Sequence, residues 1–383
     1  MTRTLVVTND FPPRHGGIQT FVGELVRRRP EGSVVVYTSS WGDTAAYDAA
    51  QPFPVIRYGR SVLLPTPDVA RRATLLLESY ECDSVLFGAA APLGLLGPRL
   101  RAAGARRIVA LTHGHEAGWA GIPGGSRLLH RIGDGVDVVT YLGDYTRARI
   151  AAALSPQAAA RMAQLTPGVD DELFRPDVDG APMRARYGLT GRKVVVCVSR
   201  LMPRKGQDTL VQALPAIRSR VPEAALLIVG SGPYRTGLER LVARLGLGDH
   251  VVLTGAVPSS DLPELYAAGD VFAMPCRTRN RGLDVEGLGI VYLEASATGL
   301  PVLAGDSGGA PDAVRPGETG YVVDGRDLAS VADHVSGLLL DGALADRVGR
   351  AGRAWVEEQW RWQNVAQRLD ALLAPQVDRS AGP

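Results

Sequence analysis

Two series of short apolar runs, each spaced by stretches of helix length, organise the chain. The first comprises TLVVTN (4–9), SVVVYTSS (33–40), SVLFG (84–88), RIVALTHG (107–114) and VDVVTYLG (136–143). A polar, proline-bearing passage, DELFRPDVDGAP (171–182), breaks the rhythm. It restarts with KVVVCVSR (193–200), ALLIVGSG (225–232), VVLTGAV (251–257), VFAMPC (271–276) and PVLAGD (301–306). Strands that are apolar throughout, rather than on alternate residues, are covered on both faces, as in parallel sheets with crossover helices. The pattern predicts an α/β protein of two doubly wound parallel-sheet domains, at 1–170 and 191–355, joined by a linker at 171–190. The closing segment, 356–383, reads as helix. Trp355, Trp360 and Trp362 beside it predict packing back on the body, on the N-terminal domain.

Composition alters this picture little. The chain has 383 residues, 45% hydrophobic and 21% charged, with formal net charge +2, which gives no sign of a nucleic-acid partner. The arginines are nevertheless bunched in the first third: Arg27, Arg28, Arg29, then Arg57, Arg60, Arg71 and Arg72. They are either a solvated surface or a face for anionic lipid. Cys82, Cys197 and Cys276 are far apart and sit in strand-like runs, which points to a reducing compartment and no structural metal. The N-terminal apolar run is short for a signal peptide, and no stretch approaches the roughly 20 apolar residues of a membrane helix. The expectation is a cytoplasmic protein that touches membrane only peripherally.

Candidate chemistry gathers at the carboxyl ends of the strands, where open α/β sheets bind ligands. SRLMPRKGQDTL (199–210) places Arg200 at a strand end and Lys205 just before a helix, a spacing that can grip a diphosphate. VGSGP (229–233), with Gly230, permits close backbone approach, although a tight turn explains it equally well. DVEGLGIVYLEA (284–295) sets Glu286 in a loop and Glu294 in the helix it feeds. Between them, Gly287, Leu288, Gly289, Ile290 and Val291 offer free amides to an anion. A carboxylate accepts but cannot donate, so the two acids suit pairs of sugar hydroxyls. In NDFPPRHGGIQTF (9–21), Gly16 and Gly17 lie between strand and helix without the GxGxxG spacing of a dinucleotide site. THGHEAGW (112–119) follows another strand with His113, His115 and Glu116; lacking HExxH spacing, it suits polar contact with a sugar better than zinc. Asp177 and Asp179 form a DxD, but in the linker rather than at a strand edge. Taken alone, the two-domain plan leaves dehydrogenase, epimerase, transferase and binding protein open.

Together these stretches resemble the retaining glycosyltransferases of family 4, whose hallmark is two glutamates separated by seven residues, here Glu286 and Glu294. PPRHGGIQ, RSVLLPTP, FGAAAPL, THGHE, SRLMPRKGQD, LLIVGSG, FAMPCRTR and GLDVEGLGIVYLEA carry the likeness over nearly the whole chain, to AWVEEQW near its end. The resemblance implies the GT-B fold, two Rossmann-like domains facing across a cleft. It implies a donor site with Arg200 and Lys205 on the diphosphate, aided by Gly16, Gly17 and Gly230. Glu286 would hold mannose and Glu294 ribose, with guanine near Val257. A THGHE histidine would approach the reacting sugar, His113 being favoured over His115. Asp10, Gln19, Arg57, Arg60, Arg71 and Arg72 would face acceptor or membrane. The substrates implied are GDP-mannose and phosphatidylinositol monomannoside at the inner face of the plasma membrane, with no metal or other cofactor. Alternatives are another donor, a soluble acceptor, a nucleotide-sugar epimerase, or a non-catalytic binding module.

Overall fold

The structure is a computed structural model that describes residues 3–14 and 16–375. The chain divides into two compact units, Met1–Pro167 with Gln363–Pro383, and Gly168–Trp362.

In the first unit, β1 (Thr4–Thr8), β2 (Val34–Ser39), β3 (Val55–Tyr58), β4 (Ser84–Phe87), β5 (Arg107–Ala110), β6 (Val138–Tyr141) and β7 (Ala163–Gln164) form one sheet. Its order is β3-β2-β1-β4-β5-β6-β7, all neighbours parallel. Val6 lies opposite Val36 on one side and Leu86 on the other, and β1 is buried along its whole length, its Leu5, Val6 and Val7 consecutively apolar because both faces are covered. The helix Pro67–Ser79 shows how a cover is built. Thr66 accepts a hydrogen bond from the Val69 amide, Pro67 starts the helix without needing an N–H partner, and Val69, Ala70, Ala73, Leu76 and Leu77 form its buried stripe.

The second unit holds β8 (Lys193–Val198), β9 (Ala224–Val229), β10 (Val251–Leu253), β11 (Val271–Met274), β12 (Val302–Gly305) and β13 (Gly320–Val323), in the order β10-β9-β8-β11-β12-β13. Its strand order reverses between β8 and β11, which opens a crevice beyond their carboxyl ends. Arg200 and Lys205 follow β8, and the Glu286 loop follows β11.

β3, β7 and β13, which escape the apolar-run reading, are all edge strands, whereas the fourth edge strand, β10, is apolar enough to be read. An edge strand is covered incompletely, so it mixes polar residues, as in the half-buried VIRY of β3.

Residues 171–190, expected as a linker, fold onto the second unit: Phe174 and Met183 are buried, and Arg353 clamps the segment. The Arg353 guanidinium donates to the carbonyls of Asp171 (3.0 Å), Phe174 (2.8 Å) and Ala297 (2.9 Å) and to Glu357 (2.7 Å). Arg353→Ala leaves three carbonyls unpaired and is expected to lower unfolding stability by about 3 kcal/mol. A urea titration checks this, and Arg353→Lys should recover only part, since one ammonium cannot span the set.

The chain passes from the second unit to the first near the start of the helix Trp362–Leu373, later than the boundary expected at 356. In the first unit that helix receives Arg107 Nε on the Leu372 carbonyl (2.7 Å) and pairs Asp370 with Arg29. Positions 376–383 of the expected closing helix lie outside the described residues.

Candidate active site

After β8 the chain makes a short 3₁₀ turn, Pro203–Lys205, and enters the helix Gln207–Arg220 through Gly206. Gly206 has φ 76°, and a Cβ there would stand 2.0 Å from the Pro275 carbonyl, so only glycine lets the turn lie against the end of β11. The turn is thereby brought beside the loop that carries Glu286. Arg200 is exposed and has no ion-pair partner among the described residues. It lines a pocket of about 490 Å³ with Ser199, Gly230, Ser231 and Val257, so three of the expected donor-binding residues meet in one place.

The loop 284–289 supplies the acids. Gly289, at φ 82°, starts the helix Ile290–Ala297 with no side-chain cap, which leaves its first amides pointing outward. Glu286 is buried, and Lys205 Nζ lies 2.6 Å from its Oε2, an ion pair off the line that a hydrogen bond requires. Arg204 Nη1 stands 3.9 Å from the same oxygen, too far to bond it, and both atoms are buried without a hydrogen-bond partner. Polar atoms in that condition are costly unless a ligand completes them. Asp284 Oδ1 lies 3.2 Å from Arg204 Nε, an ion pair that holds the guanidinium on this side of the loop. Behind Glu286, the turn after β12 abuts its backbone: Gly309 N–H donates to the Glu286 carbonyl at 2.9 Å. Glu294 accepts the Tyr266 hydroxyl at 2.6 Å; burial raises its pKa, and the Tyr266 hydrogen bond opposes the shift. Leu288 is buried and anchors the loop, while Gly287, Ile290 and Val291 are half-exposed.

Several of these participants were missed. Arg204 and Asp284 sit beside motif residues, yet only the fold shows them paired. The segment Ser307–Gly309 follows PVLAGD at a strand's carboxyl end, a position that could have flagged it. Nothing in the local sequence marks Tyr266.

In the first unit, Gly16 and Gly17 start the helix Gly17–Arg27 after β1; both are exposed, and a Cβ at Gly17 would meet nothing within 4 Å. Asp10 and Gln19 come together, Gln19 Nε2 donating to Asp10 Oδ1 at 2.6 Å. His113 Nε2 lies 2.6 Å from the Gly88 carbonyl, which only accepts, so the ring proton is on Nε2 and Nδ1 is left as an acceptor. Glu116, fully buried, accepts the His113 amide at 2.9 Å. His115 is exposed, stacks on His113 at 6.3 Å and lies 3.3 Å from Glu116. Among the described residues no group of three or more His, Cys, Asp or Glu is arranged to hold a metal.

Burial lowers the His113 pKa below its usual 6.5. Between the folded value and 6.5 the unfolded chain binds the proton and the folded chain does not, so this contribution to stability is whole above 6.5 and is lost as pH falls. Acidification from about pH 7 to about pH 5 should therefore lower the urea midpoint, with a slope of at most about 1.4 kcal/mol per pH unit from this group. His113→Gln, which can still donate to Gly88, should flatten the profile; an unchanged slope would exclude His113 as its source.

The expected membrane arginines separate. Arg57 is engaged internally, with Asp48 at 2.7 Å, the Pro12 carbonyl at 2.7 Å and the Ser39 carbonyl at 3.1 Å. It ties the edge strand to its neighbours and offers no charge outward, which corrects its placing with the surface residues. Arg60, Arg71 and Arg72 are exposed, near exposed Val62, Leu64 and Leu75.

Two parallel-sheet α/β units, one with a cationic turn and a buried acid facing it beyond the strand ends, define a GT-B glycosyltransferase. Residues 182–355 match the family model for glycosyl transferases group 1. The chain is 53% identical over 380 residues to the GDP-mannose-dependent alpha-(1-6)-phosphatidylinositol monomannoside mannosyltransferase of Mycobacterium tuberculosis H37Rv, covering 97% of this chain and 98% of that one. It is 44% identical over 376 residues to the GDP-mannose-dependent monoacylated alpha-(1-6)-phosphatidylinositol monomannoside mannosyltransferase of Corynebacterium glutamicum, covering 97% of each. Among solved structures, HepE of Anabaena in complex with UDP superposes with TM-score 0.82 at 20% identity, over 97% of this chain and 99% of that one, a likeness of fold. The chain belongs to the group 1 glycosyl transferases and, within them, to the family of these phosphatidylinositol monomannoside mannosyltransferases.

Proposed function

We propose that the protein transfers α-mannose from GDP-mannose to the inositol 6-hydroxyl of phosphatidylinositol monomannoside, with retention, giving the dimannoside. Full-length likeness to the mycobacterial mannosyltransferase carries this reading, and the acid–cation cluster of the second unit supplies its chemistry. In the reaction the bond from the anomeric carbon to the diphosphate oxygen breaks, and negative charge grows on that oxygen. Arg200, Lys205 and the open amides before Val291 suit that charge, and preorganised groups of this kind contribute several kcal/mol to transition-state stability. The acceptor hydroxyl attacks from the face the diphosphate leaves, and a phosphate oxygen takes its proton. Glu286 accepts hydroxyls of the mannose, and Glu294 those of ribose.

With cations on the diphosphate, a divalent ion is unnecessary, so EDTA should leave turnover unchanged. We assign acceptor contact to Asp10 and Gln19, and peripheral contact with anionic membrane to Arg60, Arg71 and Arg72. No single helix among the described residues is long and apolar enough to cross a membrane.

The test incubates purified protein with labelled GDP-mannose and either vesicles containing the monomannoside or a panel of soluble acceptors. A dimannoside lipid is the expected product. Label on a soluble acceptor alone, or an altered sugar nucleotide with no acceptor, would overturn the reading.

A further inference from the structure

Glu294, given ribose hydroxyls above, sits in a setting unusual for an acid. It is half-buried, and no cation pairs with it among the described residues. A neutral group holds it instead: the Tyr266 hydroxyl donates to its Oε2 at 2.6 Å. Oε1 has no hydrogen-bond partner among the described residues, and it is not one of the buried orphans of the fold. Tyr266 has little freedom of its own. It is 0% exposed, with its ring between Phe174 (5.5 Å, edge-on) and Phe272 (5.7 Å, stacked). It belongs to the short helix Leu262–Ala267, whose Leu262 lines the same pocket as Arg200 and Val257.

A hydroxyl donor in place of a cation has two consequences. An ammonium or guanidinium would neutralise the acid, whereas a hydroxyl leaves its negative charge whole and occupies one oxygen only. The other oxygen keeps two lone pairs, the number that two neighbouring hydroxyls require. Burial raises the Glu294 pKa, and only Tyr266 opposes that rise. Tyr266 is itself held well above its usual 10 by burial and by Glu294, so it remains a donor. Cys197 of β8, which acts on Tyr266, has a thiol pushed up by burial to about 12 and is neutral. On the helix Gly342–Gln359, packed against that of Glu294, Arg353 meets the Ala297 carbonyl and is neutralised by Glu357. Neither it nor Asp312, on the turn Ala310–Ala313, contributes to the rise.

We propose that Tyr266 is a positioning residue that sets donor specificity: by taking one oxygen of Glu294, it leaves the acid as a charged acceptor for two neighbouring hydroxyls, so the site prefers ribonucleotides over their deoxy counterparts, and prefers them less as pH falls. The inference rests on the placing of ribose at Glu294 proposed above and adds the group that governs it. The sign follows from the donors. Ribose hydroxyls favour the ionised acid, so the preference is whole above the pH at which Glu294 titrates and is lost below it. Without the Tyr266 hydroxyl nothing opposes burial, and the loss moves to higher pH.

The test measures binding of GDP and of 2′,3′-dideoxy-GDP to the full chain by calorimetry, from about pH 8 to about pH 5. The ratio of the two affinities cancels the titration of the terminal phosphate, whose second pKa is about 6. At about pH 8 wild type should favour GDP by at least about tenfold, and the ratio should fall with pH. Tyr266→Phe keeps the ring in its slot and should begin that fall at a higher pH, leaving a preference about tenfold smaller than wild type near neutrality. Glu294→Gln should give a flat ratio, because an amide does not titrate. A folded Tyr266→Phe protein that follows the wild-type curve overturns the inference. So does a wild-type preference that stays constant with pH, a measurement that needs no variant. Equal binding of the two nucleotides by wild type at every pH would instead remove ribose from Glu294, and the inference with it. Failure of mannosyl transfer with these binding results intact would sink the reaction and spare the role of Tyr266.

Discussion

Glu286→Ala is expected to reduce mannosyl transfer by about 10²–10³-fold, the scale for loss of one preorganised group at a reacting centre, and to lower stability by about 3 kcal/mol. The second effect follows from burial. Lys205 and Glu286 retain side-chain exposures of only 11% and 9%, and removing the acid leaves an ammonium without its counter-charge. Glu286→Gln keeps the shape and should cost less stability while losing a similar amount of activity. Binding separates the causes. If Glu286 holds mannose hydroxyls while the cations hold the diphosphate, Glu286→Gln should weaken GDP-mannose but not GDP, which meets a more positive site. Near-normal turnover by a folded Glu286→Gln protein would remove this residue from the mechanism.

The second large effect is expected at a residue with no chemistry of its own. Gly308 has φ 57°, and a Cβ there would stand 2.1 Å from the Glu286 carbonyl and 3.0 Å from Val285 Cβ. Backbone cannot yield as a flexible side chain does, so Gly308→Ala must push the acid-bearing loop away from the Lys205 turn. A displacement of about 1 Å at a reacting centre costs about 10²-fold in rate. Gly317 is the control: its φ is 78°, yet a Cβ would meet nothing within 4 Å. Gly317→Ala should carry only the conformational penalty of about 1 kcal/mol and keep full turnover. Equal activity in the two variants would show that the contact with Glu286 does not position it.

These expectations show where local reading succeeds. β1, β8 and β9 announce themselves because a strand covered on both faces favours apolar residues at successive positions, and that preference is written in consecutive letters. Arg200 could be placed for a related reason, since it lies just beyond a strand's carboxyl end, whereas Val257, which lines the same pocket, came only from the family resemblance. The edge strand β3 was not legible, because half-covered backbone tolerates a charged residue among apolar ones, as Arg57 in VIRY. Arg57 misled for the converse reason: an arginine in a basic stretch looks the same whether it faces solvent or binds Asp48.

Sequence by itself determined the two parallel sheets, the strand ends that bear the chemistry, and the paired acids at 286 and 294. Only the tertiary structure decided that Lys205 meets Glu286, that Arg204 and Asp284 stand beside them, and that Gly308 backs the loop. The reason is distance along the chain. Burial and periodicity act on neighbouring residues, whereas an ion pair between positions some eighty apart depends on two loops meeting over a switch point, and no local pattern encodes that meeting.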